Sequence, residues 1–291
     1  MGNKCNTCPR RCGAHRTAGS GSGFCQMGYN PVVARVAPHH WEEPCISGKN
    51  GSGTVFFSGC VLKCVYCQNY KISNLNVGKV ITPTQLAALY KQLEEQGVHN
   101  INLVNPTHFA YAIIESLSIY KPKIPIVYNS SGYENRDLLQ ALNGYIDIYL
   151  PDFKYAFDEL AVKYSSAQNY KNTALRAIKE MITQKPNLIY DDNNILQGGV
   201  IIRHLVLPSN TKNSIAALTL LKEHFGNSDV LFSIMAQYTP CGKATDYKEI
   251  NRTITRREYE KVLTHAEELN INGFVQDLST ASKAYIPDFY S

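Results

Sequence analysis

After residue 54, segments with the apolar pattern of β-strands alternate with segments in which apolar residues recur every three or four positions. Short β-branched and aromatic runs predict strands at 54–58, 101–104, 125–128, 145–150, 200–207, 229–235 and 273–275. Apolar residues three or four positions apart predict helices that begin at 82 and cover 111–119, 135–142, parts of 158–184, 212–224 and 255–269. Strands that alternate with helices in this way predict an α/β fold with a parallel sheet and about six β-α repeats.

The first 50 residues show no sustained period and are rich in Cys, Gly and Pro. We therefore expect a Cys-rich, metal-binding extension at 1–50, a main body at 51–275 and a C-terminal tail at 276–291. The segment 191–194, Asp-Asp-Asn-Asn, predicts a solvated loop. The clearest helix start is Thr82-Pro83-Thr84-Gln85, where Thr82 can cap the helix and Gln85 can reach back to it.

Composition narrows the class of protein. With 44% hydrophobic and 18% charged residues, the chain has enough apolar side chains for a large core. It has neither an apolar run of about 18 residues nor a signal-peptide stretch, which predicts a cytoplasmic protein without a membrane span. The net charge is +5, and residues 1–60 hold six basic and two acidic side chains. That basic segment allows a nucleic-acid-binding face. Its many cysteines favour metal binding instead, because thiolate-bound metal centres are anionic and nearby Arg and Lys side chains offset their charge.

Nine cysteines are the strongest chemical signal, and eight of them lie in the first 67 residues. Clustered cysteines in a cytosolic chain indicate metal binding rather than disulfides. Cys60, Cys64 and Cys67 follow the first predicted strand at C-x3-C-x2-C spacing. Three thiolates leave one iron of a four-iron cluster open for a substrate or cofactor. Zinc with a fourth ligand from elsewhere is the alternative.

Four further cysteines precede that loop, namely Cys5, Cys8, Cys12 and Cys25. Four thiolates suffice for a closed zinc site or for a fully ligated iron–sulfur cluster, and the sequence favours neither. Cys45 can replace one of the four. Cys241 stands apart and is expected to be a lone buried thiol.

Polar residues follow the predicted strands where each strand ends. They are Asn105 to His108, Asn129 and Ser130, Asp152 and Lys154, Arg203 and His204, and Gln237 and Tyr238. Because the carboxyl ends of parallel strands share one edge, we expect a cofactor to lie across them. His204 and Tyr238 are expected to be structural, whereas His108 is equally compatible with either role.

The Cys60–Cys67 loop after a strand resembles the signature of radical S-adenosylmethionine (SAM) enzymes. The strings 42–48, 51–54 and 67–69 resemble more narrowly the branch of proteins similar to pyruvate formate-lyase activating enzyme. That resemblance runs through nearly the whole chain and includes 149–154 and 285–289. The resemblance implies a partial, open (β/α)6 barrel and an oxidoreductase of the activating-enzyme class. It also implies a [4Fe-4S] cluster held by Cys60, Cys64 and Cys67, with SAM on the open iron.

The same resemblance implies positions for the SAM contacts. Asp152 and Lys154 match its Asp-x-Lys motif, Asn129 and Ser130 its polar pair, and Arg203 an arginine near SAM; adenine is expected near Tyr66. The chain departs from the family at the Gly-Gly-Glu motif that holds the methionine amino group. Asn105-Pro106-Thr107-His108 stands there, so Asn105 and Thr107 are expected to remake that contact.

The implied activity is reductive cleavage of SAM to methionine and a 5′-deoxyadenosyl radical, which removes a hydrogen atom from a substrate. A flavodoxin or ferredoxin type of protein would supply the electron. The branch points to a glycine of a glycyl radical enzyme as substrate, and a small molecule or another peptide is the alternative. A zinc-stabilised nucleic-acid-binding module is the third interpretation, from another class of protein. No catalytic side chain is assigned from the sequence.

Overall fold

One mixed sheet organises the chain in the computed structural model, which describes residues 4–280. Its strands are β1 (Val32–His39), β2 (Ser52–Phe57), β3 (Lys79–Val80), β4 (Ile101–Val104), β5 (Ile126–Ser130), β6 (Ile148–Pro151), β7 (Ile189–Tyr190), β8 (Leu196–Leu205), β9 (Leu231–Met235) and β10 (Gly273–Val275). The order across the sheet is β10-β9-β8-β6-β5-β4-β2-β1-β3, and β7 pairs with β8 off this path.

The α-helices connect these strands. They are α1 (Pro44–Ser47), α2 (Tyr70–Ser73), α3 (Pro83–Glu95), α4 (Ala110–Ile119), α5 (Arg136–Leu142), α6 (Asp158–Ser165), α7 (Tyr170–Gln184), α8 (Thr211–Phe225) and α9 (Arg256–Glu268). Helix α3 begins as predicted, because Thr82 and Gln85 cap each other reciprocally. None of the helices within residues 4–280 has the length and apolar character of a transmembrane span.

Seven strands run parallel, in the order β2, β4, β5, β6, β8, β9 and β10. The sheet ends at β10 on one side and at β3 on the other, and within residues 4–280 these two strands do not pair. The predicted α/β fold with an open, mostly parallel sheet is therefore confirmed. All the carboxyl ends of the parallel strands lie at one edge, where the predicted polar residues follow.

The segment 32–47 differs from the prediction of an irregular extension. Strand β1 pairs antiparallel with β2 along its length, from Val33 opposite Phe57 to His39 opposite Ser52. Cys45 and Ile46 of α1 pack against apolar side chains of β5, β6, β8 and β9. Neither element could be predicted from the pattern of apolar residues. Strand β1 is only half-buried and shows no clean alternation, and the four residues of α1 are too few to show a helical period.

The irregular, Cys-rich part outside the sheet therefore ends near residue 31. In the expected C-terminal tail, Leu278–Thr280 forms a 3₁₀ helix. The rest of that tail, with the string 285–289 that contributes to the resemblance, lies outside the described residues.

Side chains at alternate positions of the parallel strands face the same interior. Near the carboxyl edge, one residue from each of five strands and Asp152, which directly follows β6, line a common pocket; the five are Phe56, Val104, Asn129, Arg203 and Met235. The fold thus turns the predicted strand ends toward one another.

Candidate functional site

The cysteine loop 60–67 lies at the end of β2 and opens into this pocket. Cys60, Cys64 and Cys67 all line it, the first two buried and the third partly exposed. Gly59 introduces the loop with a positive φ of 75°, a conformation in which glycine avoids the strain of a side chain. The structure therefore brings the three predicted thiols to one cavity.

The thiols of this loop have few hydrogen-bond donors in direct contact. Cys64 Sγ accepts a hydrogen bond of 2.9 Å from the Ser165 hydroxyl, and Cys60 Sγ accepts one of 3.3 Å from the Leu62 amide. Burial raises the pKa of Cys64 to about 11 and that of Cys67 to about 12. A bound cation reverses this effect, since a thiol that coordinates a metal loses its proton.

The number of thiols at the pocket suits a cluster. A four-iron cluster takes one thiolate on each of three irons and keeps its fourth iron open, whereas a structural zinc site needs a fourth protein ligand. Within residues 4–280, no group of three or more His, Cys, Asp or Glu side chains is arranged to hold a single metal ion. Three thiols that line one pocket thus fit a [4Fe-4S] cluster with an open iron.

Arg203 on β8 is the centre of a polar network beside the cysteine loop. Its Nε donates to Asp152 Oδ1 at 2.9 Å, and its Nη2 donates to Asn129 Oδ1 at 2.6 Å. Its Nη1 donates to Glu42 Oε2 at 3.0 Å. A buried guanidinium needs such partners, and three different parts of the chain supply them here. The network fixes the side chains of β5, β6 and β8 relative to one another.

Asp152 joins this network to Lys154, whose Nζ lies 2.6 Å from Asp152 Oδ2. Burial acts to raise the pKa of Asp152, but Arg203 and Lys154 outweigh it and hold the pKa below its usual range. Burial likewise acts to lower the pKa of Lys154, and Asp152 reverses the direction. The pocket therefore holds one carboxylate and two cations in their charged forms.

The remaining predicted SAM contacts separate into two groups. Asn105, Ser130 and Tyr66 line the pocket with Asn129, Asp152, Lys154 and Arg203. Tyr66 is buried, its hydroxyl lies 2.7 Å from the Tyr155 hydroxyl, and its ring packs edge-to-face against Tyr164 and Tyr238. Asn105 adopts a positive φ of 61°, and its amide donates to the carbonyl oxygens of Phe57 and Gly59.

Thr107 is the predicted contact that the structure does not bring to the pocket lining. Its side chain is buried, and its hydroxyl donates to Glu134 Oε1 at 2.6 Å. Glu134 follows β5 and also receives a hydrogen bond of 3.4 Å from the Tyr128 hydroxyl. Burial raises the pKa of Glu134 to about 8. A carboxyl group thus lies behind the segment that replaces the Gly-Gly-Glu motif, although it comes from another loop.

Glu42 is a pocket residue that the sequence reasoning missed. It lies between β1 and α1, contacts Arg203 and Asn129, and lines the pocket. Burial raises its pKa against the opposing effect of Arg203. One signal was available: Glu42 and Glu43 are the two acidic residues of an otherwise basic first 60.

The other residues singled out from the sequence have structural partners. His204 is buried with its nitrogens 2.7 Å from the Phe153 carbonyl and 2.9 Å from the Ser214 hydroxyl, which confirms a structural role. His108 is buried with Nε2 2.7 Å from the Ser58 carbonyl. Tyr238 packs beside the pocket and donates to the Ile250 carbonyl at 2.7 Å. Cys241 is partly exposed, so the expectation of a buried thiol is wrong; it lies in a surface turn.

The four N-terminal cysteines come together beside the cysteine loop. Cys5 and Cys25 are half-buried, Cys8 is buried and Cys12 is exposed. They lie close enough for charge interactions that link Cys8 to Cys5 and Cys25, and Cys25 to Cys12. Cys45 does not join them, because it packs inside the barrel with α1.

Comparisons with known proteins agree with this geometry. The family model described as the radical SAM superfamily matches residues 54–190. An uncharacterized protein of Methanocaldococcus jannaschii is 31% identical over 278 residues, which are 92% of this chain and 75% of that protein.

Two solved structures are similar in fold. SuiB of Streptococcus suis has a TM-score of 0.50 at 14% identity, over 77% of this chain and 49% of SuiB. Methylornithine synthase has a TM-score of 0.50 at 13% identity, over 79% of this chain and 72% of that structure. The chain thus spans about half the length of SuiB, and at these identities the likeness concerns the fold alone.

Proposed function

The chain belongs to the radical SAM superfamily, and on that premise we propose that it cleaves SAM reductively at a [4Fe-4S] cluster held by Cys60, Cys64 and Cys67. The observation that carries the proposal is the single pocket that these thiols share with Asn129, Asp152, Lys154 and Arg203. Thiols suit iron, and the polar side chains suit a ligand with carboxylate, ribose and adenine groups.

When bound, the cluster and SAM supply a 5′-deoxyadenosyl radical for hydrogen abstraction, and the protein's part is to bind, orient and shield. Lys154 and Arg203 offer positive charge for a ligand carboxylate. Asp152 holds both cations in place through bonds of 2.6 and 2.9 Å. Asn105 offers a polar contact where the family has its carboxylate, and Thr107 acts from behind through Glu134. Ser130 offers a further polar contact with Asn129 at the end of β5.

The finer proposal concerns the substrate and rests on the resemblance to activating enzymes. We propose a glycine residue of a glycyl radical enzyme as the first candidate substrate. The proposed redox partner is an electron donor of the flavodoxin or ferredoxin type. We place the protein in the cytoplasm, because all nine cysteines are free and suit a reducing compartment. The four N-terminal cysteines are proposed as a second metal centre.

The experiment compares the wild type with a Cys60→Ala/Cys64→Ala/Cys67→Ala variant, both purified and reconstituted anaerobically. We measure iron, sulfide and zinc, and then 5′-deoxyadenosine formed from SAM with titanium(III) citrate. The wild type is expected to form 5′-deoxyadenosine, and the variant is not. A reconstituted wild type that binds zinc alone and leaves SAM intact would contradict the proposal and support a zinc-stabilised nucleic-acid-binding module.

A second assay tests the finer proposal. A glycyl radical enzyme encoded near this gene is added to the active wild type, and the glycyl radical is sought by electron paramagnetic resonance (EPR). The signal is expected to require SAM and reductant. If 5′-deoxyadenosine forms without a glycyl radical, the substrate is instead a small molecule or another peptide.

A further inference from the structure

The four N-terminal cysteines, here called the quartet, reach from the surface to the cysteine loop. Cys8 belongs to the same apolar core as Cys60 and Cys64, whereas Cys12 is exposed. The quartet therefore has one end in solvent and the other beside the loop that is proposed to hold the catalytic cluster.

Backbone packing joins the two groups of cysteines directly. Gly59, which precedes Cys60, lies against Met27 and the Cys25 carbonyl: a Cβ on Gly59 would come 2.4 Å from Met27 Cγ and 3.0 Å from Cys25 O. No side chain fits between them. The chain around Cys25 thus touches the start of the cysteine loop.

A second connection runs through Arg10, which lies between Cys8 and Cys12 in sequence. Its guanidinium donates to the Val61 carbonyl within the cysteine loop and to the Ser165 carbonyl at 3.2 Å. Ser165 in turn donates its hydroxyl to Cys64 Sγ at 2.9 Å. Hydrogen bonds thus connect the quartet segment to a thiol of the other group.

Two cations lie near both groups of cysteines. Arg10 donates to the Val61 carbonyl of the cysteine loop and is close enough to Cys8, Cys60 and Cys64 for charge interactions. Lys63 is close enough to Cys25 and Cys60 for the same effect. Two thiolate-bound clusters this near would repel each other, and positive side chains near both reduce that repulsion.

The position of the quartet favours one of its two candidate metals. Four thiolates suffice for a closed zinc site or for a fully ligated iron–sulfur cluster. Zinc has no redox chemistry, whereas an iron–sulfur cluster in contact with the cysteine loop can exchange an electron with it.

We infer that the quartet holds a second iron–sulfur cluster, through which electrons enter from the surface and reach the cluster at Cys60, Cys64 and Cys67. A one-electron donor of the flavodoxin or ferredoxin class is oxidised by one electron, and the quartet cluster is reduced by it. The quartet cluster is reoxidised when that electron passes to the second cluster; no bond or proton changes place. The inference rests on the proposed function for the destination of the electron, but not for the quartet cluster itself.

The first test separates the two sites by metal content. The Cys60→Ala/Cys64→Ala/Cys67→Ala variant is expected to keep about four iron atoms per chain, against about eight in the wild type. Its remaining iron should give an EPR signal of a reduced cluster after treatment with titanium(III) citrate. A variant that retains zinc or no metal would overturn the inference, whatever the outcome for SAM cleavage.

The second test measures the route of the electron. A Cys8→Ser/Cys12→Ser variant is assayed with reduced flavodoxin and with titanium(III) citrate, which is small enough to bypass a docking site. The ratio of the first rate to the second is expected to fall at least about tenfold relative to the wild type. Cys241→Ser, a partly exposed cysteine outside both groups, is the matched control and should keep the wild-type ratio.

The outcomes are distinguishable. An unchanged ratio in the Cys8→Ser/Cys12→Ser variant contradicts the relay, even where the iron count shows a second cluster. A wild type that never cleaves SAM with titanium(III) citrate contradicts the proposed function, while the EPR signal still decides the quartet. If the double variant does not fold, Arg10→Gln replaces it: this change keeps the cysteines and should lower the same ratio.

Discussion

Glu134 is a buried ionisable side chain that lies behind the segment 105–108, where the chain departs from the Gly-Gly-Glu motif of its family. Its carboxyl group has the hydroxyls of Thr107, Ser130 and Tyr128 as partners and forms no salt bridge within residues 4–280, so burial raises its pKa to about 8. A carboxyl group placed in this way destabilises the folded chain when it ionises. Its hydrogen bond to Thr107 fixes the segment 105–108 behind Asn105, which lines the pocket.

Glu134→Gln tests the free-energy cost of ionising this buried carboxyl group. Because the folded pKa is raised, the stability contributed by the protonated group is complete below pH 4.3 and is lost as pH rises through about 8. Glutamine does not ionise, so the variant should be more stable than the wild type by about 4 to 5 kcal/mol at pH 8 and nearly equal at pH 4. Urea denaturation at both pH values measures this, with exposed Glu115→Gln as the control. Equal stabilities at pH 8 would contradict the assignment.

Asp152→Asn tests the polar network. The variant keeps an oxygen for Arg203 but removes the charge that holds Lys154 and Arg203. Charge-assisted hydrogen bonds contribute about 1.5 to 3 kcal/mol, so SAM should bind about 10- to 100-fold more weakly. Equilibrium binding of SAM to the reconstituted protein measures this, and iron content should stay at the wild-type level. Asp192→Asn, in the exposed loop before β8, is the control; equal SAM affinity in both variants would exclude the role.

Which site residues were predictable depends on how far their partners lie along the chain. Asp152 and Arg203 were predicted because Asp152 follows, and Arg203 lies near the carboxyl end of, a strand whose period is visible in the sequence. Glu42 was not, because its partner Arg203 lies 161 residues away and the two meet only when the chain after β1 enters the barrel. Thr107 was placed in the pocket by its position after β4, but its hydroxyl turns to Glu134 instead.

At the scale of elements, periodicity predicted the parallel strands and their helices, and local chemistry predicted the start of α3. Strand β1 escaped because its partial burial gives no clean alternation, and α1 because four residues make a single turn. These two elements also carry Glu42 into the pocket between them. The missed elements and the missed residue thus have one cause.

Gly59→Ala tests the junction between β2 and the cysteine loop. Both Gly59 and Gly97 have positive φ values, 75° and 76°, but a Cβ at Gly59 meets Met27, whereas at Gly97 it meets nothing within 4 Å. Both alanine variants lose stability because alanine is strained at a positive φ, and Gly59→Ala also displaces Met27 and the Cys25 carbonyl. We expect Gly59→Ala to be less stable than Gly97→Ala by about 2 kcal/mol or more in urea denaturation. It should also bind less iron; equal stability and iron content would show that the junction tolerates movement.

At the scale of the whole molecule, the proposed entry of electrons at the quartet needs a surface where a donor docks beside Cys12. An open cleft of about 1030 Å³ begins at Arg10 and Arg11 and continues between α5 and α7. Its lining holds five basic side chains against three acidic ones: Arg10, Arg11, Arg136, Arg176 and Lys179 against Glu134, Asp137 and Glu180. Arg136 is paired with Glu180 at 2.8 Å, whereas Arg176 and Lys179 are exposed on α7. Such a cleft favours an acidic protein, as flavodoxins and ferredoxins are expected to be.

Arg176→Glu/Lys179→Glu reverses the charge of the α7 side of the cleft. Opposite charges speed the encounter of two proteins and do so less at high salt, because salt screens them. The ratio of the rate with reduced flavodoxin to the rate with titanium(III) citrate should fall about tenfold at low salt, and the difference from the wild type should shrink at high salt. Arg257→Glu/Lys261→Glu makes the same change of charge on the exposed face of α9 and keeps net charge equal between the two variants. If both reversals lower the ratio equally, the donor responds to the charge of the whole molecule; a loss confined to α7 places its docking site beside the quartet.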